Sequence, residues 1–198
     1  ALVAALDTRD HLARGHSSRV VGYALAIGNK LRLSQEELRD LAFGGYLHDL
    51  GKISLDDSLL RKETSLSDGE WDEMRRHPLI GHEILREMDF LGGASEVVLY
   101  HHERYDGQGY PAGISGEDIP LLARIFAVAD AFDAMTADRP YRPAGTFAQA
   151  REAITGQSGK QFCPKCVRAF LSLTDSELER VRTATGEGWR ADLRLGTI

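Results

Sequence analysis

Imidazoles and carboxylates are the residues of this chain best placed to do chemistry. Its seven histidines stand at positions 11, 16, 48, 77, 82, 101 and 102, and none lies beyond. Five of them extend apolar stripes at helical spacing. His16 precedes Val20, Ala24, Ile27 and Leu31; His77 precedes Ile80 and Ile84; His101 and His102 follow Val97 and Val98 by four. His48 and Asp49 continue the face formed by Leu38, Leu41, Ala42 and Gly45. Residues three and four apart share one face of a helix, so all of these polar groups point towards the core. Asp130 and Asp133 lie on Leu121 to Met135, a segment apolar nearly all round, and one or both must be satisfied inside. A lone inward histidine is commonly a hydrogen-bonded core residue. Six inward imidazoles and carboxylates are a different load. Each uncompensated buried polar group costs about 2–7 kcal/mol, against about 5–15 kcal/mol for the stability of a whole domain. Metal ions supply the compensation, because neutral imidazole and carboxylate are the donors that suit Fe, Mn, Zn and similar ions. Neighbours on a helix diverge by about 100°. His101 and His102 therefore either approach one ion from two angles or serve two ions, and Asp49, beside His48, is placed to bridge a pair.

The elements that must hold these groups are helices. A period of 3.6 dominates, with no repeat, low-complexity tract or linker, and the reading is a single all-α domain over residues 1–198, a bundle of about eight or nine helices. Helix starts are announced by Ser or Thr with an acid three residues on: Ser34 with Glu37, Ser67 with Glu70, Ser115 with Asp118, Thr174 with Glu177. Stops fall at Gly51, at Gly92-Gly93 and in the stretch from Gly107 to Gly113. The expected helices cover residues 16–32, 35–49, 68–76, 78–90, 94–104, 119–136, 146–155, 164–173 and 175–186. Lys and Arg number 24 against 30 Asp and Glu, with the signs interspersed and a net charge of −6. That balance argues against a nucleic-acid polymer or a membrane surface as partner. Two cysteines make no disulfide framework, and no long apolar run or signal segment appears. A cytoplasmic chain is expected. It begins at Ala1, and its methionines, Met74, Met88 and Met135, lie far inside, so it is expected to be a piece of a longer protein.

Several segments together resemble one family. His48-Asp49-Leu50-Gly51-Lys52 is an HD-x-GK motif, and HHERYDGQGYP, from His101 to Pro111, resembles the HHE-x(3)-G-x-GYP motif of the HD-GYP phosphodiesterases. RD-x(4)-GHS-x-RV from Arg9, HP-x(2)-G from His77, VADAFDAMTADRPYR from Val128 and KQFCPKCVRAF from Lys160 extend the resemblance to most of the chain. An HD dipeptide alone is weak, since it is common and the wider HD superfamily hydrolyses many phosphate esters; both motifs together are specific.

The resemblance implies an HD-domain helical bundle holding two or three divalent ions, Fe or Mn, on His48, Asp49, His77, His101, His102 and Asp130. Asp49 is the implied bridge. His16 and the acid at position 7 match positions that hold a third metal in some members. Asp7 stands where the family usually has Glu, a side chain one methylene longer, so two metals are expected. The implied activity is hydrolysis of cyclic di-GMP to the linear dinucleotide or to GMP, by a hydroxide bridging the metals. Lys52 is expected near the scissile phosphate, where it stabilises developing charge. Arg139, Arg142 and Arg104 are candidates for the phosphates or guanines. The loop of Gly107, Gly109, Tyr110 and Pro111 either shapes the pocket wall, lines a guanine site, or docks a partner such as a diguanylate cyclase. An upstream sensory or receiver domain is implied in the full chain. The alternatives are another cyclic dinucleotide as substrate, a catalytically weak module binding cyclic di-GMP or a partner, and a general nucleotidase. Cys163 and Cys166 have the spacing of half a zinc site or of a redox pair, but no other cysteine and no later histidine exists to complete a zinc site. They read as a packed helix start. His82 and His11 are not proposed as ligands, His82 being read as a surface residue, and Trp71 and Trp189 are assigned to packing.

Overall fold

The computed structural model describes residues 15–60, 62, 64–138 and 143–184. Every helix expected from the periodicity is present among them: α1 (His16–Lys30), α2 (Gln35–Leu47), α4 (Asp68–Met74), α5 (His77–Leu85), α6 (Gly92–Tyr100), α7 (Leu121–Thr136), α8 (Phe147–Gly156), α9 (Pro164–Leu171) and α10 (Asp175–Ala184). One further single turn, α3 (Asp57–Leu60), has no signal in the periodicity, and 3-10 turns occupy Leu50–Ser54, Asp89–Leu91 and Gly116–Asp118. No β-strand occurs among the described residues; Ser158 and Phe162 form an isolated bridge. None of the described helices is long and apolar enough to cross a membrane.

The caps work as their chemistry requires. Ser34 and Glu37 exchange hydrogen bonds of 3.2 and 2.7 Å, and Thr174 and Glu177 do the same at 3.2 and 2.6 Å. Each pair satisfies N–H groups that a helix start leaves without partners. Thr146 with Gln149 adds a reciprocal cap where no acid advertises one. Ser115 with Asp118 opens only the 3-10 turn, and α7 starts at Leu121 rather than 119. Pro120 is the reason: it disfavours helical backbone in the residue before it, and Ile119 is extended, with ψ 125°.

α7 is the central helix, and α1, α2, α6, α8 and α9 pack around it. Ile125, Phe126, Val128, Ala129 and Phe132 are fully buried against Val20, Tyr23, Ala24 and Ile27 of α1 and Phe162 and Phe170. Tyr23 meets Phe132 edge-on at 4.9 Å. A second cluster, Leu47, Leu50, Leu85, Leu91, Ala94 and Val98, joins α2, α5 and α6. Two expectations need correction. Ile84 is exposed and Ile80 half-buried, so the inward face of α5 is His77, Pro78, Gly81 and Leu85, a spacing of four rather than seven. Trp71 is 44% exposed on α4, a helix without buried residues, and Arg75 lies over its ring. Trp189 lies outside the described residues.

One glycine decides how the HD corner meets α5. A Cβ on Gly51 would overlap the carbonyl of His77 and crowd the backbone of Gly81. This close approach is what brings Asp49 to His77. Gly51→Ala must push main chain against main chain, and the expected loss is about 1–3 kcal/mol or more, the range of overpacked cores. Gly69→Ala meets nothing within 4 Å and replaces a helical glycine, so it is expected to gain about 0.5–1 kcal/mol. Urea unfolding midpoints of the two variants check the contrast.

Candidate metal centre

Three histidines sit at helix ends, and the ends orient them. His48 follows the last residue of α2, His77 begins α5 and His101 follows α6. Each donates its Nδ1–H to the carbonyl three residues earlier: His48 to Gly45 at 2.8 Å, His77 to Met74 at 2.7 Å, His101 to Val98 at 2.8 Å. A helix end leaves its last carbonyls unpaired, and the imidazole takes one of them. The bond fixes the tautomer, so every Nε2 presents a lone pair, the outer arrangement usual for metal-bound histidine. His77 Nε2 and His101 Nε2 face each other at 3.4 Å. Asp49 reaches both sides, with Oδ1 3.5 Å from His77 Nε2 and Oδ2 3.3 Å from His48 Nε2. Lys52 Nζ lies 2.7 Å from Asp49 Oδ2.

Two donor groups result, His77 with His101 and His102, and His16 with His48 and Asp130. Within each group the donor atoms lie within 4.8 Å of one another. Both groups can hold a metal ion. His77 and His101 are nearly fully buried, and burial lowers their pKa, strongly for His101. His102 falls to about 4 through burial and the closeness of His77. These imidazoles are neutral near pH 7, as ligation demands. Burial alone would raise the pKa of Asp49, but neighbouring His48 and Lys52 outweigh it and hold the carboxyl well below its usual range. Lone pairs turned on one another beside a carboxylate make a donor set that suits a divalent cation.

His16 differs from the rest. Its Nε2 is 3.3 Å from Asp130 Oδ1, and its Nδ1 donates to Asp133 Oδ2 at 2.7 Å. Asp133, 1% exposed, is held by Arg19 through two bonds of 2.6 and 3.0 Å. Of the two acids on α7, then, Asp133 is the one satisfied inside, while Asp130 opens to the cavity. The sequence pattern assigns no site role to Asp133 or Arg19; the signals it does carry are an acid on an all-apolar helix and an arginine within the segment from Arg9 to Val20. Burial works against a proton on His16, but Asp130 and Asp133 together push its pKa up to about 10.

Arg104, His101, His102 and Asp130 line one cavity of about 370 Å³, together with Met135 and Gln161. The Arg104 guanidinium is clamped by Asp106 at 3.0 and 2.7 Å. Tyr110 stacks on His102 at 4.7 Å between ring centres. The loop holding it is tied back by buried Glu103, whose Oε1 accepts the N–H groups of Ala112 at 2.7 Å and Gly113 at 3.0 Å. Gly107 adopts φ 77°, and a Cβ on Gly109 would overlap the backbone of Glu103 and Arg104. The Tyr110–Pro111 peptide is cis. Glu103 is thus a third residue whose role the sequence does not announce, visible there only as the third letter of its motif. His82 is half-buried and bonds the Ser95 carbonyl at 3.2 Å, so it is not the surface residue expected. Asp7, His11, Arg139 and Arg142 lie outside the described residues.

A model of the HD domain matches residues 2–165. The chain belongs to the HD domain family. Over 86% of its length this HD domain is 43% identical to the cyclic di-GMP phosphodiesterase response regulator RpfG of Xanthomonas campestris, covering 46% of that protein. Over 84% it is 38% identical to a cyclic di-GMP phosphodiesterase of Thermotoga maritima, again covering 46%. The chain therefore spans about half the length of these relatives. Among solved structures, a cyclic GMP-AMP specific phosphodiesterase of Vibrio cholerae superposes with a TM-score of 0.75 at 23% identity, over 99% of this chain and 51% of that one. The HD domain of the Listeria monocytogenes phosphodiesterase PgpH, in complex with cyclic-di-AMP, superposes at 0.57 and 20% identity, over 93% and 92%. Both share the fold.

The His16 pair carries a pH signature in protein stripped of metal. Its folded pKa of about 10 lies above the ordinary 6.5, so its contribution to stability is complete below pH 6.5 and is lost as pH rises towards 10. The urea midpoint of the metal-free protein is expected to fall across that window more steeply than that of His16→Asn. Parallel curves would contradict the pairing.

Proposed function

We propose that this HD domain is a metal-dependent phosphodiesterase that hydrolyses cyclic di-GMP to the linear dinucleotide or to GMP. The observation that carries the reading is Asp49, whose two oxygens reach toward two separate donor groups 3.3 and 3.5 Å away. On this reading His77, His101 and His102 would hold one divalent ion, His16, His48 and Asp130 would hold the other, and Asp49 would serve both. Two ions, Fe or Mn, suit this nitrogen- and oxygen-rich set. His16 belongs to the second group here, which removes the main support for a third ion. Bound at such a site, divalent ions supply an ionised nucleophile at neutral pH and neutralise charge on the phosphoryl oxygens.

The chain's own residues do the rest. Asp133 and Arg19 fix the ring of His16, the carbonyls of Gly45, Met74 and Val98 fix those of His48, His77 and His101, and Tyr110 stacks on that of His102. Lys52, bonded to Asp49, stands where its ammonium can meet a nonbridging or departing oxygen. Arg104, steadied by Asp106, faces the cavity beside His102 and Asp130 and is suited to a second phosphate or a base edge. Arg139 and Arg142 remain proposed for the same task. Tyr110 and Pro111, tied to Glu103, shape the wall next to His102; this accounts for the loop without a docked cyclase.

A second reading concerns the base. Relatives of Vibrio cholerae named 3'3'-cGAMP-specific phosphodiesterases are 36% and 32% identical to this chain, so a mixed cyclic dinucleotide is the alternative substrate. In the full protein, which we take to be cytoplasmic, a receiver or sensory domain is proposed to precede this one. Turnover of cyclic di-GMP, 3'3'-cGAMP, cyclic di-AMP and mononucleotides, on protein loaded anaerobically with Fe or Mn, tests the proposal; metal-replete protein inert towards every cyclic dinucleotide sinks it. Asp49→Ala is expected to lose metal and turnover together. Lys52→Ala is expected to keep its metal while kcat falls about 10²–10³-fold, the loss typical for one charge-stabilising donor.

A further inference from the structure

Cys163 and Cys166 are the only cysteines in the chain, and neither serves the site described above. Cys163 is the N-cap of α9 and Cys166 lies one turn on. At the capped starts of α2 and α8 the cap is a hydroxyl, from Ser34 and Thr146. A neutral thiol is a weak acceptor and a poor substitute for them, whereas a thiolate suits the positive end of a helix. A cation is also supplied. Arg124, half-buried on α7, has no carboxylate partner among the described residues; its Nη1 lies 3.6 Å from Cys163 Sγ, and its buried Nε has no partner. Positions i and i+3 of a helix bring β-carbons to about 5–6 Å, a short adjustment from the separation a disulfide needs.

We propose that Cys163 and Cys166 form a peroxide-reactive dithiol, with Cys163 as the attacking sulfur and Cys166 as the resolving one. The Cys166 thiol, the N–H groups of Cys166 and Lys165, and Arg124 together outweigh burial and lower the Cys163 pKa to about 5, while Cys166 is pushed up. Only Cys163 keeps any exposure, 3% against none, so the oxidant must be small, and hydrogen peroxide is little larger than water. The Cys163 thiolate attacks one peroxide oxygen; an S–O bond forms, the O–O bond breaks and hydroxide leaves, giving the sulfenic acid. The Cys166 sulfur then displaces the sulfenic oxygen, which departs as water with the Cys166 proton, and the S–S bond forms. The two sulfurs together lose two electrons, and peroxide is reduced to water and hydroxide. The pair stands close to the cavity: Gln161, two residues earlier, lines it, and the carbonyls of Gln161 and Lys160 accept the N–H groups of Tyr105 at 3.1 Å and Asp106 at 2.8 Å.

The test is to treat reduced, Mn-loaded protein with one equivalent of hydrogen peroxide, denature and alkylate it, and read the intact mass. Wild type is expected to lose both alkylation sites and to recover both after reduction. Cys166→Ser is expected to trap a sulfenic acid at Cys163 that dimedone labels, at least about tenfold faster than Cys166 is labelled in Cys163→Ser. Cys163 makes no side-chain cap bond, and Cys163→Ser places a preferred capping hydroxyl there, so folding does not confound it. Two alkylatable thiols remaining in treated wild type, or equal labelling rates in the two variants, overturn the proposal.

Discussion

The constraint on which this fold depends is that unprotonated imidazole nitrogens are turned towards one another and towards a carboxylate inside a helical core. His77 and His101 present Nε2 lone pairs at 3.4 Å, an arrangement that two neutral acceptors do not favour without a cation. It persists because each ring is fastened from behind to a carbonyl that its helix end leaves free. Helix termination is thus part of the chemistry. α2 must end at Leu47 for His48 to turn back on Gly45, and α6 must end at Tyr100 for His101 to reach Val98. Gly51 then allows the corner after Asp49 to settle against the backbone of α5, which brings the carboxylate between the two donor groups.

The second donor group is organised differently, through charge rather than main chain. Asp133 sits in the middle of a short relay from Arg19 to His16, almost without exposure. A buried carboxylate with one partner removed would cost several kcal/mol, so the relay is maintained by its own completeness. Asp130, three residues earlier on α7, is left to face the cavity. One helix thereby supplies both an anchoring acid and a donor acid, with the more buried one doing the anchoring.

Much of this architecture is legible in the amino-acid sequence. The helices can be read because apolar residues recur at 3.6 and because Ser34, Ser67 and Thr174 announce starts with an acid three residues on. The donors can be read because each prolongs an apolar stripe, and the HD and GYP motifs give the group a chemical meaning. The partners cannot. Arg19 and Asp133 are separated by 114 residues, and only the packing of α1 on α7 brings them together. Glu103 acts nine and ten residues ahead through backbone N–H groups, which leave no trace in side-chain pattern. The positions where pattern and packing disagree are likewise tertiary. Ile84 fits a stripe but faces out because α5 is short and meets its neighbours along His77, Gly81 and Leu85; His82 finds the Ser95 carbonyl on the adjoining helix; Trp71 lies on a helix that buries nothing.

The central claim is that two ions are held on opposite sides of Asp49. Anomalous scattering from crystals grown with Mn tests it most directly. The account predicts two peaks, one among His77, His101 and His102 and one among His16, His48 and Asp130, with Asp49 between them. A single peak, a third peak, or peaks remote from Asp49 would contradict it.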